Sequence, residues 1–154
     1  MRGLKLAIGT LFGAGLLPKL PGTWGTLASM LLIWPVAVCF GTWGLAIIVA
    51  VASLLTIWAA DACENRWGRD PGQMVSDELA GQALVFFWIG LEGSLALDWP
   101  ALLAGFLLFR IFDIFKPAGI GRLQHFPSGF GILLDDLLAG LYALGTLHIL
   151  FQLL

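Results

Sequence analysis

Five apolar runs, at 23–40, 43–62, 77–91, 100–116 and 132–154, come close to the roughly 17 to 25 residues that carry a helix across a bilayer. Nothing else in the chain constrains its fold as strongly. A segment surrounded by hydrocarbon must satisfy every backbone polar group internally, which only helices and closed barrels achieve. The runs are continuous rather than alternating, so the expected fold is all-α: a polytopic membrane helix bundle with about five transmembrane helices. An earlier stretch, 4–17, is too short to cross, contains Gly9, Gly13 and Gly15, and stops at Pro18. It reads as an N-terminal interfacial or re-entrant segment. Composition agrees, with 59% of residues hydrophobic and 12% charged, against about 45 to 50% and 25% in soluble domains. No polar stretch is long enough for a separate soluble unit, so residues 1–154 are expected to form one integral membrane domain. No convincing small-residue cleavage site follows the first apolar stretch, so the N-terminus is expected to stay.

The basic residues orient the bundle. Arg2, Lys5, Lys19, Arg66, Arg69, Arg110, Lys116 and Arg122 fall before the first run, between the second and third, or around the connection from fourth to fifth. The connections FGTWG and EGSLALDW contain none. By the positive-inside rule the basic side faces the cytoplasm. The acids follow the same partition: Asp61, Glu64, Asp70, Asp77, Glu78, Asp113, Asp135 and Asp136 gather there, leaving Glu92 and Asp98 outside. Cys39 and Cys63 lie at opposite ends of neighbouring helices, too far apart for a disulfide. The tetrapeptide GTWG occurs twice, at 22–25 and 41–44, and reads as two Thr-capped helix starts rather than a repeat.

Acids inside apolar runs need a reason. Asp77, Glu78, Asp135 and Asp136 stand near helix N-termini, where capping and the helix dipole favour them. Asp113 stands near a helix C-terminus, where the dipole disfavours an anion; a local ion pair with Arg110 or Lys116 is the bland account. A cup of carboxylates for a hard cation accounts for all of them together. Asp70, Asp77, Glu78, Asp113, Asp135 and Asp136 are the candidate metal ligands, and oxygen donors of this kind suit Mg²⁺, which keeps waters and bridges to phosphate. Arg110, Lys116 and Arg122 then supply positive charge for a phosphoryl group. The segment PGTWGT, 21–26, opens a helix on the same face, and its free N–H groups with the Thr23 and Thr26 hydroxyls are candidates to hold the phosphate.

Other phosphatase chemistries fit poorly. Cys63 and Arg69 have the C-x₅-R spacing of cysteine-dependent phosphatases, but Glu64 and Trp67 would crowd the anion. PSGF, at 127–130, carries Phe130 where type 2 lipid phosphatases place a histidine. No D-x-D occurs, which argues against a haloacid-dehalogenase-type enzyme. His125 and His148 read as non-catalytic.

Four stretches, PGTWGTLAS (21–29), DPGQMVSDELAG (70–81), FRIFDIFKPAGIGRL (109–123) and GFGILLDDLLAG (129–140), resemble the phosphatidylglycerophosphatase A family, in the same order across nearly the whole chain. The resemblance implies a Mg²⁺-dependent lipid phosphatase of the bacterial inner membrane, multi-pass, with its active site on the cytoplasmic face. It would convert phosphatidylglycerophosphate in the cytoplasmic leaflet to phosphatidylglycerol and inorganic phosphate. The family's acidic motif positions fall on Asp70, Asp77, Glu78, Asp113, Asp135 and Asp136, and its basic ones on Arg110 and Lys116. Two mechanisms stay open: attack by a metal-activated water, or covalent attack by Asp136 or Asp113. An ion-coupled transporter is the alternative, although transporter acids usually sit at the midplane, and the runs AIIVAVASLL and ALLAGFLLF carry no charge. Membrane lipid is the expected partner, with no nucleic acid and no protein partner.

Overall fold

The computed structural model describes residues 1–117, 119–123, 126–127 and 129–153, with the side chains at 121 and 122 outside the description. Helix α1 (Arg2–Gly9) leads into a 3-10 turn (Ala14–Leu16). Then come α2 (Pro21–Trp67), α3 (Ser76–Val85), α4 (Leu95–Phe115), α5 (Ile120–Leu123) and α6 (Gly129–Leu153). All regular structure among the described residues is helical, and α2, α4 and α6 are long and apolar enough to cross a membrane.

The first two expected spans both lie in α2, whose 47 residues would reach about 70 Å if straight, more than twice the roughly 30 Å of a bilayer core. It is not straight. Gly41 has φ 56 and ψ −149, a combination that side chains essentially forbid. Beyond it the chain doubles back: a Cβ on Gly44 would stand 2.7 Å from Val36 Cγ1, and Leu32 shares a groove with Ile47 and Ile48. A straight helix would hold these pairs about 12 and 22 Å apart. The halves 21–40 and 42–67 therefore form a helical hairpin, broken within the FGTWG connection where a loop is expected.

The third expected span, 77–91, is helical for only the ten residues of α3, about 15 Å. Apolar residues continue past Val85, but Phe86 and Phe87 turn, and Trp88 takes a left-handed φ of 58. The connection is then fastened by Asp98, whose carboxylate accepts the N–H groups of Glu92 at 2.8 Å and Gly93 at 3.0 Å and the Trp34 indole N–H at 2.8 Å. This explains one of the two acids on the outer side. Asp98 is buried and fully partnered.

A helix this short holds its place through packing. Ser76, Asp77, Glu78, Ala80, Gly81, Gln82, Ala83 and Val85 are all buried. Against α6, glycines let the backbones touch: a Cβ on Gly81 would come 2.5 Å from the Asp136 carbonyl oxygen, and one on Gly140 would collide with the carbonyl of Gly81. Against α4, Gly105 receives the Phe86 ring, which a Cβ there would meet at 2.6 Å. Phe86, Val85, Phe109, Ile33, Leu45, Ala143 and Leu147 form the apolar centre.

The stretch expected to stay off the bilayer path contains α1, eight residues long, and returns through left-handed Leu11 and Phe12. It is held to the second half of α2 by Lys5 Nζ with Asp61 Oδ1 at 2.7 Å, and to the approach of α3 by the Val75 N–H donating to the Gly9 carbonyl at 2.8 Å.

Candidate active site

Four helix ends meet at one end of the bundle. The start of α2 brings Leu20, Pro21 and Gly22; the connection into α3 brings Asp70, Pro71, Gly72 and Met74; α3 opens with Asp77 and Glu78. The end of α4 brings Arg110 and, one turn on, Asp113, with Lys116 just past the helix, and α6 brings Asp135 and Asp136. Together they line a cavity of about 340 Å³, within the usual range for a small-ligand site. All six expected carboxylates and two of the three expected cations are in its wall. The third, Arg122, has its side chain outside the described residues, as do His125 and Ser128 entirely.

The carboxylates divide by company. Arg110 Nη1 lies 2.8 Å from Asp113 Oδ2 and 3.2 Å from Glu78 Oε1. Asp113, at the unfavourable end of its helix, thus has the local partner it requires, and the same guanidinium reaches across to α3. Glu78 also accepts the Thr26 hydroxyl at 2.8 Å. Thr26 is fully buried and is not in the cavity wall; its hydroxyl is also 2.9 Å from the Gly22 carbonyl. Thr23 is half-buried in the first turn of α2 and likewise not in the wall. The contribution of PGTWGT that sequence reasoning missed is its glycines: a Cβ on Gly25 would stand 2.7 Å from Glu78 Oε2, and one on Gly22 would stand 2.8 Å from Arg110 Nη2. The signal was the i, i+3 spacing of Gly22 and Gly25 on the face that also carries Thr26 and Ser29.

Lys116 is the second cation. It ends α4 in a left-handed conformation with φ 44 and pairs with Asp135.

Asp77 and Asp136 form no ion pair with a lysine or arginine among the described residues. Asp77 Oδ1, Asp135 Oδ1 and Asp136 Oδ2 are buried and accept no hydrogen bond from the described residues. Orphaned carboxylate oxygens are costly. Nor are Asp135 and Asp136 helix caps: α6 begins at Gly129, not near 132 as expected, which puts the pair in its second turn, beyond the free N–H groups. Six carboxylate side chains face two cationic ones in the wall. No three acidic, histidine or cysteine side chains among the described residues converge into a ready-made cation cage. Mg²⁺ does not need one, since it commonly takes one or two carboxylates and completes its shell with water and phosphate. The oxygen-only donors and unpartnered oxygens therefore fit such an ion.

Cys63 lies inside α2, fully buried against Ala59, Ala60, Met74 and Ile132. With residues 63–67 helical, no loop surrounds the thiol to cradle an anion. His148 sits in α6 with Nδ1 3.1 Å from the Leu144 carbonyl and is not part of the cavity.

The family model for phosphatidylglycerophosphatase A matches residues 7–151. The chain belongs to that family. Its members are phosphatases, so the cavity belongs to an enzyme. A phosphatidylglycerophosphatase A of Haemophilus influenzae is 38% identical over 140 residues, covering 90% of this chain and 82% of that protein. One of Escherichia coli is 34% identical over 146 residues, covering 93% and 80%. A protein of Bacteroides thetaiotaomicron named putative phosphatidylinositol-3-phosphatase is 40% identical over 148 residues, covering 91% and 89%. No solved structure matches the chain. The membrane-length helices make this phosphatidylglycerophosphatase A family member a membrane protein.

Proposed function

We propose that the protein hydrolyses phosphatidylglycerophosphate to phosphatidylglycerol and inorganic phosphate with Mg²⁺, at the cytoplasmic face of a bacterial inner membrane. The observation that carries this reading is one cavity holding unpartnered oxygens of Asp77, Asp135 and Asp136 beside Arg110 and Lys116. Asp77 and Asp136, with Asp70 and the free oxygen of Asp135, hold the metal. When bound, the metal supplies positive charge to the phosphoryl oxygens and acidity to water. Arg110 and Lys116 face the same space and offset charge that develops on the phosphoryl and leaving oxygens. Glu78 and Asp113 hold the Arg110 guanidinium in place. The starts of α2 and α3 add the positive ends of two helix dipoles. If an aspartate attacks phosphorus directly, Asp136 suits the role better than Asp113, because Asp113 already lies 2.8 Å from Arg110.

The topology that goes with this reading has five crossings: the two halves of α2, the α3 segment with its turned continuation, α4 and α6. The basic residues around the cavity favour the cytoplasmic side for it. A half-length helix with its N-terminus at a polar cluster is also a transporter device, but membership in a phosphatase family favours hydrolysis over transport.

A second substrate deserves comparison because of the Bacteroides relative's name, phosphatidylinositol 3-phosphate. The test is phosphate release by purified protein in detergent from each lipid, with Mg²⁺ and with EDTA. Release from phosphatidylglycerophosphate that requires Mg²⁺ is expected; faster release from the inositol lipid would reassign the substrate, and full turnover in EDTA would remove the metal.

A further inference from the structure

Beside the cavity, on the outer surface of the bundle, a groove of about 410 Å³ runs between the end of α4 and the middle of α6. Phe112 and Pro117 line it from the end of α4, and Leu141, Tyr142, Gly145, Thr146 and Ile149 from α6. The groove adjoins the site at the end of α4, where Phe112 and Pro117 of its lining are chain neighbours of Asp113 and Lys116 of the cavity. From Leu141 to Ile149 the α6 lining extends about 12 Å along the helix axis, away from Asp135 and Asp136. Leu141 and Ile149 are about half exposed, and the Phe112 and Tyr142 rings pack edge to face at 5.7 Å.

Gly145 sets this surface apart. Gly81, Gly105 and Gly140 each admit a neighbouring atom that a side chain would strike, whereas a Cβ on Gly145 would meet nothing within 4 Å. A glycine inside a helix is destabilising relative to alanine. Here no atom of the described residues comes close enough to require a glycine, so the surface is open to what surrounds the bundle.

We propose that this groove is the subsite for an acyl chain of the lipid substrate, with Lys116 between the chain and the phosphate. The proposal rests on the phosphatase reading above. A phospholipid has its anionic head and its hydrocarbon joined at headgroup depth, and at the end of α4 the structure joins a cation-bearing polar cavity to an apolar trough in the same way. On the opposite side of α3 lies another apolar groove, but the close approach of Gly25 and Thr26 to Val75 and Glu78 separates it from the site.

The test compares kcat/KM for dipalmitoyl and dihexanoyl phosphatidylglycerophosphate in detergent. Gly145→Phe fills the trough without meeting protein atoms at its Cβ, and is expected to lower the long-chain to short-chain ratio about fivefold or more, since each methylene removed from apolar contact weakens binding. Ile149→Trp, at the far end of the trough, is the second variant and should move the ratio the same way. Leu150→Phe, on α6 but not in the groove wall, should leave it unchanged. An unchanged ratio in active Gly145→Phe and Ile149→Trp overturns the groove alone. Equal loss on both lipids with a changed oligomeric state assigns the surface to a second copy of the chain and also overturns it. Wild-type protein inert on both lipids sinks the phosphatase reading and this inference with it.

Discussion

Asp135 and Asp136 are neighbours in sequence that keep different company. Asp135 pairs with Lys116, whereas Asp136 pairs with no lysine or arginine among the described residues and leaves Oδ2 bare. Asn in place of Asp136 keeps the shape and removes the charge. Asp136→Asn is therefore expected to reduce phosphate release by at least about 100-fold, beyond what losing a group behind a metal ligand usually costs. Its unfolding midpoint in metal-free detergent should be unchanged or higher, since a buried unpaired charge is relieved. Asp135→Asn should lose less activity. Wild-type turnover in Asp136→Asn would remove this residue from the chemistry. Thr26 separates two roles in the same way. A hydroxyl bound to substrate phosphate would show in KM, but one that orients Glu78 acts through Arg110. Thr26→Val is expected to lower kcat by about 10- to 150-fold, in line with about 1.5 to 3 kcal/mol for a hydrogen bond to a charged group. KM should hold, and Thr26→Ser should recover most of the rate. A KM effect alone would restore Thr26 to the substrate. The acids could be singled out in sequence because charge is conspicuous in an apolar run; the direction of a threonine hydroxyl leaves no such trace.

Among the elements, α3 is the one whose length hydropathy misjudged. Residues 86–91 are as apolar as a helix continuation would be, so counting apolar positions extends the run to Leu91, while the backbone turns at Phe86 and Trp88. Conversely, GFG at 129–131 looks like a loop and is helical, because Gly129 must pack closely on α2: a Cβ there would come 2.8 Å from the Ala60 methyl. Close approach is a property of two surfaces and is only half visible in one stretch of sequence. The Gly81 and Gly140 contacts make it testable. Gly81→Ala and Gly140→Ala each drive a methyl into backbone and should cost about 1 to 3 kcal/mol or more of stability. Gly145→Ala, with open space, should be neutral or stabilising by up to about 1 kcal/mol. Unfolding midpoints in detergent would rank the three, and equal effects would contradict the packing of α3 against α6.

For the whole molecule, the partition of charge to one end was legible because the bilayer enforces it, and the structure brings six of those acids and two of those bases into one cavity from four separate helices. The side of the membrane is a matter for labelling. In a background lacking Cys39 and Cys63, a cysteine at Arg69 is expected to react from the cytoplasm and one at Ser94 from the outside. Reaction of both from one side would break the crossing order of α3 with its continuation. The brevity of α3 bears finally on how such a chain is made. At ten residues with Asp77, Glu78 and Gln82 among them, it is too short and too polar for the translocon to admit on hydrophobicity alone. Its surroundings are completed by α6, where Gly140 lets the two backbones touch. A chain halted before residue 129 is expected to hold the hairpin and α4 without Asp135 and Asp136, and so to lack the α6 side of the cavity wall.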